Sequence, residues 1–201
     1  MLGLPQSTGV KRPLPKALLF KRFDWSASQR ERFDAEVSRL DFVNWISPQT
    51  VPAIAVGNEV KEIFVVEVQL KSREFDTKSI TLLAKNIPQR IVYVLRYEDE
   101  AMLAVFHSKL FISEWQFLTH NSSFLTLEGL NLDAVWENIV SSVGNFSVEE
   151  DNSLSEQIKI DEERSKLDRQ IAALERQMNT TKQPRRKREL YAEIKKLKNL
   201  L

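Results

Sequence analysis

The stretch Lys61–Ser72, KEIFVVEVQLKS, decides the fold. Side chains alternate along a strand with period two, which puts Phe64, Val66, Val68 and Leu70 on one face and Glu67, Gln69 and Lys71 on the other. An apolar run of this length with one wet side reads as a core strand of a covered sheet. The same pattern sets a carboxylate and a lysine on one strand face.

Outward from this strand the chain alternates between helical and extended periods. On the N-terminal side, Phe33, Val37 and Leu40 recur at helical spacing after a serine cap, Ser26 or Ser28, and predict a helix over Ser28–Leu40. Two short strands are expected next, DFVNWI at 41–46 and VPAIAVGNEV at 51–60, separated by the Ser47-Pro48 turn. On the C-terminal side, Asp76 caps a helix carrying Ile80, Leu83 and Ile87, and Pro88 ends it. RIVYVLRY and MLAVFHSKL predict an antiparallel pair around Glu98-Asp99-Glu100, FISEWQFL adds a strand, and NLDAVWENIVSSV forms a helix capped by Asn131 or Asp133. Three prolines between Leu4 and Pro15 predict an extended arm. The fold class is therefore α/β, a mixed β-sheet flanked by helices.

After Gly144 the composition turns polar and then helical. The expected organisation is an α/β domain over 1–146 with its N-terminal arm, a linker over 147–152, and a helical hairpin or coiled coil over 153–201. Ile160, Leu167, Ile171, Leu174 and Met178 form one apolar seam, and Leu190, Ile194, Leu197 and Leu201 form another past NTTKQPRR. Such a seam is an interaction element, with a second copy or a larger protein as its partner.

Composition excludes several chemistries. The 201 residues carry a net charge of +1, so no global field recruits an acidic partner. The absence of cysteine removes disulfides, thiolate zinc sites and a cysteine nucleophile, and with His107 and His120 the only histidines, a histidine-rich metal site is not expected. No G-x-S-x-G turn accompanies Ser108, Ser122 or Ser123, and the five glycines form no phosphate loop. Trp25, Trp45, Trp115 and Trp136 read as core anchors. The opening residues hold no apolar run long enough for a signal peptide or a membrane span, so a cytoplasmic protein without cofactor or bound metal is expected. The densest positive charge, Lys182, Arg185, Arg186, Lys187 and Arg188, is a candidate for phosphate contact, although charge runs beside coiled coils more often serve pairing and solubility.

The order helix, three strands, helix, strand resembles the restriction-endonuclease core. That resemblance implies a metal site built from an acid on the second strand and an acid two residues before a lysine. Here VPAIAVG, taken as the second strand, has no acid, and the residue two before Lys71 is Gln69, a poor magnesium ligand. Catalysis by Glu67, Gln69 and Lys71 thus stands as the alternative to a solvated or partner-covered face. LPQSTGVKRPLPK, WISPQTVPAIAVGNEVKEIFVVEVQLK, NIPQRIVYVLRY and TTKQPRRKRELYAEIKKLKNLL together resemble a bacterial family known as a domain of unknown function, numbered 4391. The resemblance implies a small companion of DNA methyltransferases and helicases in restriction or phage-defence gene clusters. The expectation is a non-catalytic accessory subunit of a DNA-processing complex, with a metal-dependent nuclease and a DNA-binding adaptor as alternatives.

Overall fold

The computed structural model describes residues 2–118, 124–149 and 152–200. The chain divides into two compact units, Met1–Ser147 and Val148–Leu201. In the first, strands β1 (Gly9–Pro13), β2 (Val37–Ile46), β3 (Ile63–Leu70), β4 (Arg90–Tyr97), β5 (Glu100–His107) and β6 (Lys109–Ile112) lie side by side in chain order. β7 (Gln116–Phe117) pairs with β5 and completes a seven-stranded mixed sheet. Only β3 and β4 run parallel; the other neighbours are antiparallel. A parallel pair needs a long crossover, which α3 (Thr77–Asn86) supplies.

Helices cover both faces of the sheet. On one face α1 (Lys16–Arg22), α2 (Ala27–Glu36) and α3 bury Leu19, Phe33, Ile80 and Leu83 against Val66, Val68, Tyr93 and Leu95. Ser26 caps α2 in a reciprocal box with Gln29, and Phe33 meets Trp25 edge to face at 5.1 Å between ring centres. On the other face α4 (Leu132–Gly144), capped by Asn131, packs on β5 and β6 with Val135, Trp136, Ile139 and Val143 buried. Asp133, the other cap candidate, instead binds the loop before β3. Its carboxylate accepts from the backbone N–H groups of Asn58, Val60 and Glu59 at 2.5, 2.7 and 3.1 Å.

Three local expectations change. The helix predicted over 28–40 ends at Glu36, because Val37 and Leu40 belong to β2. A β-bulge pairs Val37 with Leu70 and Arg39 with Gln69, so residues three apart share a face and imitate helical spacing. VPAIAVG is a loop whose sheet-type pairing is a single bridge from Ala55 to Asn131; Pro52 and the turn at Gly57 oppose a ladder there. The predicted N-terminal arm holds a 3-10 turn at Gln6–Thr8 and contributes β1 to the sheet, and α1 follows it.

The second unit is a helical hairpin of α5 (Leu154–Thr180) and α6 (Pro184–Lys198). Ile171, Leu190 and Ile194 are buried, and Lys198 reaches Glu175 across the hairpin at 2.8 Å. Ile160, Leu167, Leu174, Met178 and Leu197 are half-buried, and Leu201 lies outside the described residues, as does His120. Among the described residues no helix is long and apolar enough to cross a membrane.

Candidate functional site

β3 alternates as the sequence requires: Phe64, Val66, Val68 and Leu70 join the helical core, and Glu67 and Gln69 face the opposite side. The true antiparallel neighbour of β3 is β2, and it carries an acid. Asp41 sits directly opposite Glu67, and Arg39 directly opposite Gln69. Directly opposed residues on antiparallel strands share a face with Cβ atoms roughly 5 Å apart. The objection that the neighbouring strand is acid-free therefore falls, since it rested on the loop VPAIAVG being that strand.

The acid pair lies in an open groove of about 690 Å³ lined by Lys11, Pro13, Arg39, Asp41, Val43 and Glu67. The Asp41 side chain keeps 15% of its exposure and that of Glu67 30%, so both are partly withdrawn from water yet reachable. Each has a guanidinium beside it. Arg39 donates to Asp41, and Arg96 on β4 approaches Glu67 at 3.6 Å. The Arg39 guanidinium is held above its ordinary value by the hydrogen bond and charge of Asp41, against the cost of desolvation, with Glu67 adding to the effect. One arginine thus senses both carboxylates. Gln69 Nε2 donates to the backbone carbonyl of Arg96 at 3.3 Å, which orients the amide.

Lys71 does not join this group. Its ammonium donates to the backbone carbonyl of Asp34 at 2.5 Å and lies 4.0 Å from that residue's carboxylate, at the end of α2. The register that would set it beside Glu67 and Gln69 ends with β3 at Leu70. The structure brings together Asp41, Glu67, Gln69, Arg39 and Arg96, of which the sequence reading named Glu67 and Gln69. Asp41 was missed because VPAIAVG was taken as the strand beside β3, although Asp41 heads the expected strand DFVNWI; an acid at the head of that strand was the available signal.

Among the described residues no cluster of three or more His, Cys, Asp or Glu is placed to hold a metal. The donors here are two carboxylates and one amide. Magnesium is commonly held by one or two carboxylates together with water and substrate phosphates, so this set fits such a cation when a phosphate completes it.

The remaining candidates belong to other elements. His107, at the end of β5, accepts a hydrogen bond from Trp136 Nε1 at 3.3 Å; burial lowers its pKa and the Arg90 charge lowers it further. In the basic cluster, Lys182 precedes α6, and Arg185 and Arg186 pair with Glu189 at 3.5 and 3.2 Å. Lys187 and Arg188 are exposed.

A family model described as a domain of unknown function (DUF4391) matches residues 2–201. The chain belongs to this family. No curated protein and no solved structure matches it. The DUF4391 match spans both the sheet with its acid pair and the helical hairpin.

Proposed function

We propose that this DUF4391 chain is a metal-dependent nuclease whose site is formed by Asp41, Glu67 and Gln69. The observation that carries the reading is the direct cross-strand pairing of Asp41 with Glu67 on a groove-forming sheet face, beside Gln69. Asp41, Glu67 and the Gln69 side-chain carbonyl would hold the cation, which supplies charge neutralisation at the phosphate and a more acidic bound water. Arg39 and Lys11 would bind the flanking phosphates of the substrate, each as a cation at the groove wall. Arg39 and Arg96 balance the carboxylates when no substrate is present, and a phosphate offers both guanidinium groups an alternative anion. Lys71 has no part in this arrangement.

The test is cleavage of plasmid, linear and single-stranded DNA by the full chain with magnesium or manganese. Cutting should disappear in Asp41→Asn and Glu67→Gln and persist in Lys71→Ala. A wild type that cuts none of these substrates, or cutting indifferent to both acid variants, refutes the assignment.

A second reading is favoured by one observation, the arginine already beside each carboxylate. In it the face is a docking surface, and the chain is a non-catalytic accessory subunit of a bacterial DNA-processing complex with a methyltransferase or helicase partner. That reading expects no cleavage, and loss of partner capture when Asp41 and Glu67 are neutralised together.

A further inference from the structure

We infer that the outward face of α6 binds the phosphate backbone of a nucleic acid. The inference rests on the second unit alone and is independent of the reading given to the sheet groove. α6 holds seven basic and two acidic side chains in fifteen residues. Its apolar side is used up inside the hairpin, where Leu190 and Ile194 are buried. With about 100° between successive residues, Arg185, Arg188, Lys195 and Lys196 fall on the side opposite those two, with Ala192 at the centre.

The acids neutralise this side only at Arg185. Glu189 is engaged by Arg185 and Arg186, and Glu193 lies by the same period next to the apolar seam. Among the described residues Arg188, Lys195 and Lys196 are exposed and enter no ion pair. Arg188 and Lys195 are seven residues apart, about 10 Å along the axis, so the unpaired charges form a stripe suited to an extended polyanion. Ala192 between them lets that polyanion approach the helix closely. Tyr191, 62% exposed, borders the stripe and offers a ring and a hydroxyl.

An anionic membrane is a poorer match, because amphipathic helices bind lipid by burying an apolar face, and here that face is committed to α5. The fork of Arg188 matches phosphate geometry in two hydrogen bonds, which a nucleic acid offers at every residue of its backbone.

The test uses the full chain with EDTA present, so that cleavage cannot interfere, and follows the anisotropy of fluorescent duplex and single-stranded DNA of mixed sequence. The comparison is wild type against the combined Arg188→Gln, Lys195→Gln, Lys196→Gln variant, whose changes are all at exposed positions and whose helix content is checked by circular dichroism. At about 50 mM salt the variant should bind duplex roughly tenfold more weakly or worse, and its slope of log affinity against log salt should fall by about 2 to 3. The loss should be the same for unrelated sequences. Absence of DNA binding by the wild type, or equal affinity and slope in the variant, overturns the inference. Displacement of DNA by polyglutamate at equal charge concentration also overturns it, by assigning the face to acidic polypeptides. The two readings are separable because cleavage is scored with metal and binding with EDTA: loss of cleavage in Asp41→Asn bears on the groove alone, and loss of binding in the α6 variant bears on this face alone.

Discussion

Replacing Asp133 with alanine should unclip the loop before β3 from the start of α4. The carboxylate receives three backbone N–H groups, those of Asn58, Val60 and Glu59. Asn58 and Glu59 are exposed and find water when the carboxylate goes, whereas Val60, 3% exposed, does not. The cost is therefore dominated by one hydrogen bond to a charged group, about 1.5–3 kcal/mol, plus up to about 1 kcal/mol from a negative charge lost in the first turn of α4. A total of about 1.5–4 kcal/mol corresponds to a fall in Tm of roughly 3–16 °C for a chain of this size. Tryptophan fluorescence is the suitable probe, because Trp25, Trp45, Trp115 and Trp136 all belong to the first unit and report its unfolding without the hairpin.

The pH dependence has a definite sign. Burial pushes the Asp133 carboxyl up, but the backbone donors of Val60, Asn58 and Glu59 and the Lys61 charge outweigh it and hold it below the ordinary value of 3.8. A depressed folded-state pKa contributes stability that is fully present above the unfolded value and lost as pH falls through the folded one. The gap between wild type and Asp133→Ala should be constant above about pH 5 and close below about pH 4. Asp133→Asn keeps one acceptor and should lose roughly half as much. An alanine variant within about 0.5 kcal/mol of wild type at neutral pH, or a gap that widens on acidification, would refute this account of the clip.

Other perturbations test other parts of the molecule. Gly57→Ala puts a Cβ 2.3 Å from Asp133 Oδ1, so it should disturb the same clip, and the double variant with Asp133→Ala should cost less than the sum of the singles in chemical denaturation. Phe33→Ala empties a fully buried aromatic site between Trp25 and Phe20 and should destabilise the first unit by about 3–5 kcal/mol, read from the same fluorescence transition. Asp41→Asn and Glu67→Gln each break one partly exposed ion pair and relieve a like-charge opposition, so their stability should stay within about 1 kcal/mol of wild type by thermal unfolding, whatever they do to cleavage.

The elements that were legible are those whose local signals agree. For α3, the Asp76 cap, the buried Ile80 and Leu83 and the stop before Pro88 all point one way. The pairing of β4 with β5 was likewise plain, with Glu98 at a φ of 49° in its turn, but MLAVFHSKL is not one strand: the chain turns at Ser108, where φ is 58°, and Lys109 and Leu110 belong to β6. β2 was misread at its start because a bulge is a long-range event: whether Val37 and Leu40 share a helix side or a bulged strand side depends on Leu70 and Val68, some thirty residues away. FISEWQFL was expected as one strand, but the ladder breaks between Ile112 and Gln116, where Ser113 exchanges hydrogen bonds with Leu103 through its backbone and its hydroxyl. The candidate site was half legible for the same reason. Glu67 and Gln69 are neighbours in sequence, while Asp41 becomes their neighbour only through strand register, and Lys71 leaves because β3 ends one residue before it.

The short β1 also acts as a shield. β2 is ten residues long, and β1 covers its outer edge with five residues that include the charged Lys11 and Arg12 and end in Pro13, which has no N–H to offer. An uncovered edge of that length is a template for another chain, whereas a short, charged, proline-ended one is not. A chain shortened to begin after Pro13 should therefore self-associate through β2 and form concentration-dependent aggregates, even though the residues removed contribute little to the core.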